Sequence, residues 1–156
     1  MTRAYFDCFS GISGDMTLGA FIDLGVPLSW VKSALFKLPL TGFDLIATPV
    51  FRHGINAKHF HVQTKDNSES RNYEEIKSLI INSGLSQSVK KRSIGIFERL
   101  ANAEAEIHDC PPEKVHFHEV GGIDAIVDVV GTVLCVEYLN IEKITASELP
   151  LGKGFV

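Results

Sequence analysis

Apolar and polar residues change period several times along this chain, and each change marks an element. Residues 4–9, "AYFDCF", are short, aromatic-rich and soon followed by Gly, which predicts a buried strand. "SGISGD", residues 10–15, predicts a turn, with Ser13 or Asp15 placed to cap the next helix. "MTLGAFIDLG" predicts that helix, closing at Gly25 because glycine takes the left-handed conformation readily. Pro27 and Ser29 open a second helix, whose Val31, Ala34, Leu35 and Leu38 recur at helical spacing. Period two then takes over, predicting strands over 43–50 and 58–64 joined through Arg52, His53, Gly54, Ile55 and Asn56. "DNSESRN", residues 66–72, predicts a polar, mobile loop. Helical spacing returns over 73–83, with Ile76, Leu79 and Ile80 on one side, and again over 86–108. The expected core stripe of this long helix is Ile96, Leu100, Ala103 and Ile107, and Pro111-Pro112 ends it. Residues 123–139 predict a strongly apolar helix, and "KITASELPLG" a last strand.

The order is therefore β, α, α, β, β, α, α, α, β. It predicts an α+β fold, an α/β sandwich in which about five helices pack a small mixed sheet that includes a hairpin. A chain of 156 residues is one domain and can bury a core without staples. A net charge of −4, with no basic run beyond Lys90-Lys91-Arg92, argues against DNA as partner. No apolar run approaches ~18 residues, so no membrane span is expected. The N-terminus lacks the apolar core of a signal peptide. Three cysteines without a CxxC pattern, Cys8, Cys110 and Cys135, read as reduced thiols in a cytoplasmic protein.

Three stretches carry candidate chemistry. In "KVHFHEVGGIDAIVD", extended backbone points His116 and His118 one way and Val115 and Phe117 the other. Two imidazoles at i and i+2 can chelate one ion. After Gly121-Gly122, Asp124 and Asp128 lie one turn apart at the start of an apolar helix, favoured by its dipole but expensive to bury alone. Upstream, Glu104 and His108 are also four apart. With Glu119 these donors suit nickel, zinc, manganese or magnesium. The plainer alternative is a half-exposed polar strand followed by a helix cap. In "FDCFSGISGD", a strand enters a Gly/Ser turn that opens a helix, a geometry that presents backbone N–H groups to an anion. It is neither GxxxxGK[ST] nor GxGxxG. Asp7 and Asp15 would repel a bare phosphate and would suit one that arrives with a divalent cation. The plainer alternative is a tight turn with an Asp15 cap. On the hairpin, His59 and His61 share a face, and the plain reading is an exposed polar strand. Cys8 beside the turn would need a positioned base to act as a nucleophile.

Three stretches resemble, in order, the signatures of the LarC-type nickel insertion proteins: "FDCFSGISGDMTLGAFIDLG", "EKVHFHEVGGIDAIVDVVG" and "ASELPLGKGFV". The resemblance implies a nickel chelatase, or cyclometallase. Such a protein inserts nickel into pyridinium-3,5-bisthiocarboxylic acid mononucleotide, using CTP with Mg or Mn, to make the nickel-pincer cofactor of lactate racemase-type enzymes. Members are much longer. Residues 1–156 are thus expected to be the single N-terminal domain of a longer architecture whose nucleotide-binding C-terminal domain is absent. The motif positions carried over are Asp7, Ser10, Gly11, Ser13, Gly14 and Asp15 for the nucleotide-like substrate, and His116, His118, Glu119, Asp124 and Asp128 for metal. Glu119 is the candidate base. Expected partners are that small-molecule substrate and the protein's own C-terminal domain or subunit, with no DNA and no membrane; a homo-oligomer stays open. The alternative is a non-catalytic metal-binding or assembly module that needs the C-terminal part. A metal-dependent phosphohydrolase is a third reading of the carboxylates and histidines.

Overall fold

A computed structural model describes residues 1–64, 70–117, 120–150 and 152. The elements keep the expected order: β1 (Thr2–Phe6), α1 (Gly14–Asp23), α2 (Leu28–Leu35), β2 (Phe43–Arg52), β3 (Ile55–Thr64), α3 (Tyr73–Ile81), α4 (Gln87–His108), a 3-10 turn (Pro112–Lys114), α5 (Ile123–Tyr138) and β4 (Ile141–Ala146). The class is α+β, but the four strands form two separate ladders. β1 pairs with β4 in parallel, and β2 pairs with β3 antiparallel.

The core is built on α5. Ile126, Val127, Val130, Leu134 and Cys135 are buried on several sides of it, so it reads as a central helix. It packs against α1, α2 and α4. Gly131 admits Leu18 of α1, whose Cδ2 lies 3.0 Å from where a Cβ would stand. α1 in turn lies on β3: a Cβ on Gly19 would come within 2.5 Å of the Lys58 carbonyl oxygen. Burial pushes the Cys135 thiol up to about 12, which leaves it unreactive.

Several boundaries moved for identifiable reasons. The hairpin is tighter than expected. His53 and Gly54 both have positive φ (49° and 82°), the signature of a two-residue I′ turn, which lets the strands pair up to Arg52 and Ile55. β1 is not a buried strand. With β4 as its one partner it leaves Tyr5 66% exposed, while Phe6 meets Phe21 of α1 edge-on at 6.1 Å. The last strand starts two residues earlier than expected and stops at Ala146. The core stripe of α4 is Val89, Ser93, Phe97, Ala101 and Ala105, not the expected set; Ile96 is 38% and Ile107 76% exposed. Phe97 decides this face. It is fully buried against Phe117 at 6.3 Å, and small Ala101 and Ala105 let the neighbouring chain approach behind it. Of the expected loop at 66–72, residues 66–69 lie outside the described residues.

α3 begins with a complete capping box. Asn72 accepts from the Glu75 N–H at 2.9 Å, and the Glu75 carboxylate accepts from the Asn72 N–H at 2.8 Å. Replacing Asn72 with Ala should therefore lower stability by about 1 kcal/mol, read as a shift in the urea midpoint at unchanged slope.

Candidate functional site

The carboxyl ends of two parallel strands meet the starts of two helices here, the place where open α/β sheets hold ligands. Past the end of β1, the Cys8 N–H donates to Ser147 Oγ at 2.8 Å, and the Ser147 N–H donates to the Phe6 carbonyl at 2.9 Å. These bonds tie the outgoing chains of β1 and β4 together. Gly11, at φ +86°, closes a turn in which its N–H reaches the Cys8 carbonyl at 2.9 Å. Asp7 and Ser10 stay exposed, and Cys8 is buried.

α1 then starts at Gly14. Ser13 occupies the cap position without capping through its side chain; its hydroxyl donates to Asp15 Oδ1. Asp15 takes up the first turn instead, accepting from the Met16 N–H at 2.8 Å. The start of α5 is likewise uncapped by a side chain, with Gly122 at the cap position and Asp124 exposed beside it.

These two helix starts touch. A Cβ on Gly14 would overlap the Cβ, Cγ and Oδ2 of Asp128, so glycine is what allows the carboxylate to lie against α1. Asp128 Oδ1 is buried and has no hydrogen-bond partner among the described residues. Burial pushes its carboxyl up to about 7, and the charges of Asp15 and then Asp124 push in the same direction. Three carboxylates from two distant stretches thus share one field. They are not already gathered into a chelate: among the described residues, no group of three or more His, Cys, Asp or Glu could hold a metal ion.

On its other side, the approach to α5 is pinned by the strand-like residues 70–72. The Arg71 N–H donates to the Gly121 carbonyl at 3.2 Å, Ser70 Oγ donates to the Phe117 carbonyl, and Asn72 bridges His116. Gly121 is the contact point, since a Cβ there would stand 2.6 Å from the Arg71 carbonyl oxygen. Val115 and Phe117 are buried and His116 is exposed, as the alternation requires. The stretch makes one isolated bridge rather than a strand. His118 and Glu119 lie outside the described residues.

A family model described as "Nickel insertion protein" matches residues 4–156. This chain belongs to that family. It is 50% identical to a relative from Geobacter sp. (strain M21), across the whole of this chain and 41% of the relative. It is 47% identical to relatives from Geotalea uraniireducens (strain Rf4) and Wolinella succinogenes, again across the whole chain and 40% of each relative. All three carry the name "Putative nickel insertion protein". The chain spans about two fifths of the length of these curated relatives. No solved structure matches it. Among the described residues, no helix is long and apolar enough to cross a membrane.

Of the predicted site residues, Gly14 meets Asp128, and Asp15 and Asp124 lie close enough to act on its charge. Glu104 and His108 pair with each other along α4, at 3.3 Å. Arg71 was not singled out by sequence. Its Nη1 is buried without a hydrogen-bond partner among the described residues, and its backbone meets Gly121 at the entry to α5. A lone arginine in a polar stretch carries no signal until the fold sets it there. The open groove of about 580 Å³ along β1 and α1, lined by Tyr5, Phe6, Met16 and Phe21 among others, includes Asp7 and Gly11 at one end but none of Asp15, Asp124 or Asp128.

Proposed function

We propose that this chain supplies the metal and substrate crevice of a CTP-dependent nickel cyclometallase. The longer protein inserts nickel into pyridinium-3,5-bisthiocarboxylic acid mononucleotide and so makes the nickel-pincer cofactor of lactate racemase-type enzymes. One observation carries this reading: the buried, unpartnered oxygen of Asp128, held against the start of α1 and facing Asp15 and Asp124.

A carboxyl pushed up to about 7 is divided between its two forms at neutral pH. Its ionised form can hold a divalent cation, which offsets the mutual repulsion of the three carboxylates. Its basicity also suits it to take the ring proton that leaves as a carbon–nickel bond forms. Nickel favours mixed nitrogen and oxygen donors, so His116 and His118 complete the set with Asp124 and Asp128. Glu119 remains the second candidate base. The N–H groups of the 10–15 turn other than that of Gly11, together with the Arg71 guanidinium, would take the substrate phosphate. CTP with Mg or Mn is assigned to the remaining length of the family architecture.

Nickel titration by calorimetry tests this. Changing Asp15 and Asp124 together to Asn should weaken nickel binding at least ~10-fold. Undiminished affinity in a folded protein would remove the metal assignment. The partial span of the relatives favours a second reading, a metal-binding module that works only with the rest of the protein. The chain incubated with substrate, nickel and CTP decides between them: nickel-pincer absorbance from this chain alone would exclude the module.

A further inference from the structure

The hairpin faces α1 with one side and solvent with the other. Register places Asp44, Ile46, Thr48 and Val50 of β2 opposite Gln63, His61, His59 and Ala57 of β3. Directly opposed residues share a face, so these eight form the outer side, away from the Phe60 and Leu45 side chains that enter the core. His59 and His61 stand next to each other there, both exposed. Their rings are parallel to within 6°, with centroids 6.5 Å apart. Neither imidazole has a hydrogen bond or ion pair among the described residues. The pair accounts for two of the six histidines in the chain, within three positions.

We infer that His59 and His61 form a bidentate capture site for a first-row divalent cation, separate from the carboxylate crevice. Successive same-face positions on a strand present the two imidazoles side by side. Metal–nitrogen distances of about 2.0–2.1 Å require the two ligating nitrogens to close to about 3 Å of each other. Exposed histidines achieve this by χ rotation between staggered wells, without backbone movement. Two neutral imidazoles select along the series manganese < cobalt < nickel < copper. The neighbouring carboxylate does not complete the site. Asp44 is bound by Lys32 at 2.6 Å, so water, or a donor from the molecule that receives the ion, fills the remaining positions. An exposed two-ligand site holds an ion weakly enough to pass it on. That suits capture from solution, whereas the half-buried carboxylates suit retention.

The inference does not depend on the proposed reaction. It is tested with nickel(II) alone, added to the whole chain and followed by proton NMR of the histidine rings, with His59 and His61 assigned from His59→Ala and His61→Ala. Nickel in excess of one equivalent should shift and broaden both signals, and calorimetry should show manganese binding this site far more weakly than nickel. By calorimetry, either single variant should bind nickel at this site at least tenfold more weakly, while Asp128→Asn leaves the site intact. Sharp His59 and His61 signals at several equivalents of nickel would overturn the inference. So would nickel stoichiometry and affinity unchanged in the double variant. Both side chains lie outside the core, so these variants keep the fold.

Discussion

Replacing Asp128 with Asn should make the metal-free protein more stable at alkaline pH while weakening its hold on nickel. The carboxyl rises from an ordinary 3.8 to about 7 in the folded chain, so the native state holds this proton more tightly than the unfolded state does. For a carboxylate raised in this way, the native state is favoured below the unfolded value. Stability then falls between about pH 4 and 7, and the full penalty stays in place above that. Three units correspond to about 4 kcal/mol unscreened. The side chain is only partly buried, so solvent screening brings the expected effect to roughly 2 kcal/mol. Urea unfolding of both proteins from pH 4.5 to 8 checks it: the advantage of the Asn variant should widen up to about pH 7 and then level off. Parallel curves would mean that the carboxylate is not strained. Nickel reverses the sign for wild type, because a cation favours the ionised form. Nickel affinity should rise through pH 7 more steeply in wild type than in the variant, whose rise comes from the histidines alone. A group that destabilises the empty protein and is compensated by its ligand is the usual trade-off at a binding site.

The elements were legible because their signals are local. The Gly25 stop, the Pro111-Pro112 break and the period-two hairpin each depend on a few adjacent residues. The stripe on α4 was not legible, since Ile96 and Phe97 offer alternative faces and only the position of Phe117 chooses between them. Nor was the parallel pairing of β1 with β4, which joins residues nearly a whole chain apart. The candidate site divides the same way. The residue types at 7–15 and 124–128 were visible as motifs. That the two motifs touch rests on Gly14 and Asp128, a contact no spacing rule contains. Arg71 became visible only through its orphaned nitrogen.

Gly14→Ala should be strongly destabilising, and for a purely steric reason. Gly14 opens α1 with no left-handed φ to protect. At such a position alanine ordinarily raises stability by up to ~1 kcal/mol. Here the added Cβ would overlap Asp128. Rotating the Asp128 side chain moves Cγ and Oδ2, but its Cβ is fixed by the backbone of α5. The helices must therefore part, and overpacking of this kind costs about 3 kcal/mol. Gly95→Ala is the control. It too lies inside a helix, but a Cβ there meets nothing within 4 Å, so it should stabilise by roughly 0.5–1 kcal/mol. Asp128→Gly removes the obstructing atoms. At about pH 4.5, where the carboxylate penalty is small, it should lose only a few tenths of a kcal/mol of helix propensity alone, yet recover most of the Gly14→Ala loss in the double variant. Denaturant midpoints of the four proteins give the coupling energy. A value near zero, or a Gly14→Ala protein as stable as the Gly95 control, would mean that the helix starts do not touch. The carboxylates of Asp15 and Asp128 would then have no reason to share an ion.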